Sequence, residues 1–344
     1  MRGASAGARL KAAVFSVLLF SLPTFSGASA QEILTGAAPV TVKTEPIKSF
    51  QVGRDSDQFG KLTYLGGMEL ISADRNVGGL SSLISLKGGA EFVAVTDNGL
   101  WFAATVDQDE DGRPLGLSNT RYTPMIRVSG KPFNGHYGSD TEAMTLDGAS
   151  ILVSAEGVNK IYRFPWPLTT GKEPMTGEVK VSQAISDLRG SKGMEAMAMA
   201  PQGTPLAGKL VVIAERGPGD ADDLPGFLLQ DGKEDRFTVA RSDRYDATDA
   251  EFLPNGDLLL LERRFNLRDL VGMRIRKFPA SSVVPGAKLT GEVLLEADFG
   301  FQIDNMEGLA VHENEKGQTI LTLLSDNNRS LLQRTLFLRF RLND

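Results

Sequence analysis

Short apolar runs, each closed by a carboxylate and separated by Gly, Pro, Asn and Asp turns, recur along the chain from about residue 78 onward. Val, Ile, Leu, Phe and Tyr fill the runs, which is the composition of strands. No long amphipathic helical pattern follows the first thirty or so residues. The recurring unit has three parts. A lead-in that is acidic or contains Gly opens a first strand, a second strand ends in an acid, and a third strand follows. The lead-ins are Gly78-Gly79-Leu80, Thr141-Glu142-Ala143-Met144, Gly193-Met194-Glu195-Ala196-Met197, Thr248-Asp249-Ala250 and Met306-Glu307-Gly308-Leu309-Ala310. Second strands are predicted over 92–97, 151–156, 210–215, 258–262 and 320–326, closing on Asp97, Glu156, Glu215, Glu262 and Asp326. Third strands are predicted over 100–106, 160–166, 227–230, 273–278 and 331–342.

Set on positions 79, 142, 195, 249 and 307, the units are spaced by 63, 53, 54 and 58 residues. That period suits a β-propeller blade of four strands with generous loops. The expected class is therefore all-β, a β-propeller with six blades favoured over five. The segment over about 33–70 supplies an extra partial blade, and 331–342 closes the ring beside it. A β-sandwich or a β-helix is the alternative.

The chain has 344 residues, 41% of them apolar, enough for a full core. It has no Cys and two His. Disulfides, thiolate nucleophiles, Cys-ligated metals and a three-His zinc site are thereby excluded. Arg2, Arg9 and Lys11 precede an apolar stretch over 12–22 and the small residues Ala28-Ser29-Ala30. This is the pattern of a signal peptide over 1–30, too short for a membrane span. Residues 31–344 are then the mature domain, exported to a bacterial periplasm or the exterior. Losing those three cations and no acid takes the net charge from −6 to about −9. An acidic chain argues against nucleic acid as a partner. No second spanning run argues against a membrane, and a small anionic or ester substrate is the expected partner.

In a propeller the first strands start, and the second strands end, on one face near the axis. Glu142, Glu195, Asp249 and Glu307 should therefore converge with Glu215, Glu262 and Asp326 at the channel mouth. Crowded carboxylates repel unless a cation or Arg compensates. Oxygen ligands without Cys or His clusters favour a divalent cation such as Ca²⁺. The first four are the candidate metal ligands, and Glu215, Glu262 and Asp326 the candidate general bases. Arg216, Arg263 and His136 are candidate substrate-binding residues. The plainer use of these acids is turn capping and ion pairing between blades. Asp107-Gln108-Asp109-Glu110-Asp111-Gly112 begins like a Ca²⁺ loop, but its twelfth position is Ser118, and a hairpin tip is the better reading. A nucleophile elbow, a P-loop and a dinucleotide fingerprint are absent.

The motifs Glu142-Ala143-Met144, Glu195-Ala196-Met197, Glu307-Gly308-Leu309-Ala310 and Ser325-Asp326-Asn327-Asn328, with Gly78-Gly79-Leu80-Ser81 and Thr96-Asp97-Asn98-Gly99, carry a resemblance over about 47–342. Together they resemble the phytase-like family of exported bacterial proteins, labelled for esterase-like activity of phytase. The resemblance implies a β-propeller and hydrolysis of phosphate or carboxylic esters, with a metal-assisted site of the kind found in calcium-dependent propeller phytases. A non-catalytic ligand-binding propeller and a lactonase-type propeller remain open beside it.

Overall fold

The structure is a computed structural model. Apart from residue 1, it describes residues 32–133, 138–188, 193–217, 219, 222–266 and 270–343. The chain divides into two units after Gln31, and the fold described is that of the second. Residues 2–30 of the segment read as a signal peptide, and His136, lie outside the described residues.

The apolar runs form five sheets. Blade 1 contains Leu80–Leu86, Glu91–Thr96, Leu100–Gln108 and Pro114–Pro124 from the axis outward, with Ala38–Pro39 at its edge. Blade 2 contains Thr141–Asp147, Ser150–Ala155, Lys160–Pro165 and Gly177–Val179. Blade 3 contains Met194–Met199, Leu210–Ala214, Leu224–Gln230 and Lys233–Val239, with Lys288–Leu289 added in parallel. Blade 4 contains Asp246–Phe252, Leu258–Asn266, Leu270–Phe278 and Glu292–Asp298. Blade 5 contains Asn305–Glu313, Thr319–Asp326 and Thr335–Leu342, then Leu62–Ile71 and Lys43–Ile47 from early in the chain. Each innermost strand packs beside those of both neighbouring blades, and that of blade 5 returns to that of blade 1, so the sheets close into a β-propeller.

The ring has five blades, which corrects the favoured count of six. The segment over 33–70 makes no blade of its own because it has no inner strand on the axis. Leu62–Ile71 instead pairs antiparallel with Thr335–Leu342, from Leu62 opposite Leu342 to Leu70 opposite Thr335. This pairing ties an early strand to the last one, as the sequence led us to expect. The acidic segment at 107–112 is a hairpin tip. Gln108 pairs with Pro114, and Asp109 Oδ1 accepts from the N–H groups of Asp111 (3.0 Å) and Arg113 (2.9 Å).

Period-2 alternation explains why the second strands are apolar without interruption. In blade 4, Leu258 and Leu260 pack toward blade 3 with Val211 and Ile213. Leu259 and Leu261 pack toward blade 5 with Leu321 and Leu323. A blade in the ring has a neighbour on each face, so both faces must be apolar.

Candidate functional site

Each inner strand carries a β-bulge near its start. The extra residue is Ser81 in blade 1, Glu195 in blade 3, Thr248 in blade 4 and Glu307 in blade 5. In blade 2, Glu142 and Ala143 share the bulge opposite Ser154. A bulge adds one residue and re-aims its side chain. The adjacent second strand ends beside it, on Asp97, Glu156, Glu215, Arg263 and Asp326 in blades 1 to 5. Those residues lie against the position two before the bulge, which is Gly79, Asp140, Gly193, Asp246 and Asn305. Three positions therefore recur five times around one mouth of the channel.

Two of the glycines are there to admit an acid. A Cβ on Gly193 would lie 2.5 Å from Glu156 Cγ, and one on Gly79 would lie 2.3 Å from Asp97 Oδ1. The bare backbone at these points lets the carboxylate of the same or the preceding blade lean into the mouth.

On the side of blades 3 to 5, arginines neutralise the acids. Arg263 Nε is 3.2 Å from Glu307 Oε1, and its Nη2 is 3.7 Å from Glu215 Oε1. Its Nη1 donates to Asn305 Oδ1 at 2.5 Å, and Asn305 Nδ2 donates to Glu307 Oε1 at 2.8 Å. Arg216 Nη2 donates to Glu215 Oε1 (3.2 Å) and to Asp246 Oδ2 (2.6 Å). Arg241 covers the other oxygen of Asp246 at 2.7 Å. Between blades 5 and 1, Arg329 pairs with Asp97.

Among the described residues the blade 2 side has no such cover. Asp140, Glu142 and Glu156 offer oxygens within 4.8 Å of one another, and none forms an ion pair with a described residue. Glu156 Oε1 is buried without a hydrogen-bond partner among the described residues, and so is Glu215 Oε2. Burial first, then the charges of Glu195, Asp140 and Glu307, pushes Glu142 well above the usual carboxylate range. Glu195 is raised well above it too, by burial and then by Glu156 and Glu307. Glu156 and Glu307 are each raised to about 7, chiefly by burial, and for Glu307 the field of Arg263 opposes the rise. Asp326 is raised to about 6, again by burial first.

The expected convergence thus holds for Glu142, Glu195, Glu307, Glu215 and Asp326, with Arg216 and Arg263 among them. It does not hold for Asp249 and Glu262. Both lie one residue away from the recurring positions in blade 4, where Thr248 occupies the bulge and Arg263 the strand end. Asp249 is buried below the mouth, where Oδ2 accepts from Leu309 N (2.8 Å) and Ser82 Oγ (3.0 Å) and Oδ1 from Ala250 N (2.9 Å). It pins blades 1, 4 and 5 together. Glu262 is fully buried on the opposite face of its strand, held by Arg274 (2.9 and 3.1 Å) and Arg276 (2.6 and 2.6 Å). With both oxygens so engaged it is no free base. Asp140 was missed, although an acid two residues before Glu142 was visible in the sequence.

The donor set of the blade 2 side suits a hard divalent cation. It consists of carboxylates only, and among the described residues it includes a buried oxygen without a hydrogen-bond partner and has no arginine paired with it. Opposite it stand Arg263 and Arg216, whose planar forks suit a phosphoryl or carboxylate group.

The search of curated proteins found no match. Among solved structures the chain is similar to an endo-arabinase from Bacteroides thetaiotaomicron, with 12% identity, a TM-score of 0.47, and coverage of 77% of this chain and 94% of that one. It is also similar to a 6-phosphogluconolactonase, so named provisionally, from Bacteroides fragilis (14% identity, TM-score 0.39, coverage 86% and 93%). A third is an α-L-arabinofuranosidase from Podospora anserina (11% identity, TM-score 0.45, coverage 89% and 98%). The family model described as phytase-like, esterase-like activity of phytase, matches residues 75–329, nearly the whole ring of blades, and this chain belongs to that family.

Proposed function

We propose that the channel mouth is the active site of an exported hydrolase that cleaves an ester, a phosphoester first, with help from a divalent cation such as Ca²⁺. The observation that carries this reading is the division of the mouth into an acid triad that has no ion pair among the described residues and the arginines Arg263 and Arg216. The family's description, esterase-like activity, agrees with it. Export rests on the targeting pattern over 1–30. No helix among the described residues is long and apolar enough to cross a membrane.

Asp140, Glu142 and Glu156 would hold the cation, with Glu195 and Glu307 behind them. When bound, the cation supplies charge neutralisation at a substrate oxygen and acidifies water. The protein's own groups do the rest. Arg263 and Arg216 grip the anionic group. Glu215, through its unpartnered Oε2, takes the proton of the attacking water as that oxygen bonds to phosphorus; Asp326 is the second candidate base. The ester P–O bond breaks with its electron pair on the leaving oxygen. That oxygen receives a proton from Glu307, which holds one up to about pH 7.

Glu195→Gln and Glu307→Gln each lower turnover by about 10² or more, with an unchanged circular dichroism spectrum. The assay is a panel of phosphoesters, carboxylic esters and lactones with Ca²⁺ present. Full activity in both variants would remove the mouth from catalysis. Cleavage of lactones alone would move the chain to the lactonase-type reading. No turnover on the whole panel would leave a ligand-binding propeller.

A further inference from the structure

A groove of about 540 Å³ opens between blades 4 and 5, beside the mouth. It shares Arg263 and Asn305 with the site, yet its chemistry differs. Phe265, Val271, Ile303 and Leu332 form its walls. Phe265 is 80% exposed and Leu332 93% exposed. Large apolar side chains held in water beside a polar site mark a surface made to be covered.

Among its described lining residues the groove carries two arginines, Arg263 and Arg264, and one acid. Arg264 keeps a buried Nε–H with no hydrogen-bond partner among the described residues, while Arg263 Nε is shared with Glu307 Oε1 at 3.2 Å. Arg263 Nη2 stands 3.7 Å from Glu215, beyond hydrogen-bonding distance. The acid of the groove, Asp304, is already in use, since its oxygens accept from Asn305 N (2.9 Å) and Arg334 N (3.0 Å).

We propose that this groove is the leaving-group pocket, and that the substrate is an aryl phosphomonoester. Its phosphoryl group sits against Arg263, and its flat apolar group lies over Phe265 and Leu332. A polyphosphorylated polyol does not fit. It has no apolar part to cover these walls, and Arg263 and Arg264 are the only described cations lining the groove to meet its further phosphates. The inference rests on the hydrolase reading and adds to it the class of substrate.

The test is equilibrium binding, which needs no turnover. Calorimetry with Ca²⁺ present compares the non-hydrolysable 1-naphthylphosphonate with methylphosphonate and inositol hexakisphosphate. The wild type is measured beside the double variant Phe265→Ser, Leu332→Ser, whose changes are on exposed side chains. Burying the naphthyl face should tighten binding over methylphosphonate by about tenfold or more. The double variant should erase that advantage and leave methylphosphonate binding within about twofold. Equal affinities in the wild type overturn the proposal. So do tighter binding of inositol hexakisphosphate, an advantage that survives in the variant, or no binding of either phosphonate. Turnover of 1-naphthyl phosphate is measured in parallel. Selective naphthylphosphonate binding without that turnover overturns the hydrolase reading and keeps the pocket. Turnover without selectivity overturns the pocket alone.

Discussion

Replacing Glu262 by Gln lowers the stability of the protein by about 3–5 kcal/mol, although the residue stands outside the mouth. Glu262 is fully buried and is the carboxylate shared by Arg274 and Arg276. Both guanidinium groups are themselves nearly buried. Arg274 also donates to Ser242 Oγ at 2.9 Å and lies 4.4 Å from the Tyr245 ring centre. Arg276 also donates to Ala240 O at 3.0 Å and Thr290 O at 2.9 Å. These contacts fix the two side chains, so they cannot turn to water when the carboxylate goes. Gln offers one acceptor where four N–H groups converge, and its own NH₂ points at a cation. Two buried positive charges then lose their buried counter-charge, and only the exposed Asp243 remains, 3.9 Å from Arg274. Urea unfolding of wild type and variant reads the difference. A loss below about 1 kcal/mol would mean that solvent reaches this cluster after all. The triple change Glu262→Leu, Arg274→Met, Arg276→Met should recover most of the loss, because no charge stays behind.

Arg263→Gln has a cost that depends on pH. Arg263 is the guanidinium between Glu307 and Glu215. The Glu307 carboxyl already stands at about 7 because of burial, with Arg263 holding it down, and Glu215 is raised as well. A carboxyl raised in the folded state binds a proton that the unfolded chain has released. Its contribution is fully present below the unfolded value near 4.5 and is lost as pH rises through the folded value. The metal-free wild type therefore loses stability between about pH 4.5 and 7. Without Arg263 both carboxyls rise further, and the loss is larger and runs to higher pH. The variant should fall about 3 kcal/mol below wild type at pH 8. At pH 5, where Glu307 is neutral, the deficit should shrink to about 1 kcal/mol, the value of a lost hydrogen bond. Melting curves at the two pH values check this. An equal deficit at both would show that Arg263 acts by packing and not by charge.

The blades were legible because their signal is geometric. A buried second strand with neighbours on both faces must be apolar throughout, and runs such as Leu258-Leu259-Leu260-Leu261 announce it. The blade count was in the same data, since five lead-ins supply five inner strands. The segment over 33–70 misled because strand composition does not say which edge a strand joins. The site was legible in four blades, where an acid stands at the bulge, at the strand end, or at both. In blade 4 matching by acid type moved the alignment by one residue, and in a strand one residue reverses the face. Matching by apolar residues aligns Ala250 with Met144, Met197 and Leu309 and puts Thr248 at the bulge. The destination of Glu262 had its own sign. Arg274 and Arg276 are two residues apart, flanking Ile275 in a strand, so they share a face and need a buried acid if that face is covered.

The central claim is that the clustered carboxylates of blade 2 are a cation site. Calorimetric titration of Ca²⁺ into chelator-treated protein at pH 7.5 tests it most directly, with wild type beside Glu142→Gln. Binding with a rise in melting temperature in the wild type, weakened about tenfold or more in the variant, is the result predicted. No heat and an unmoved melting temperature, or equal binding in both proteins, would contradict it.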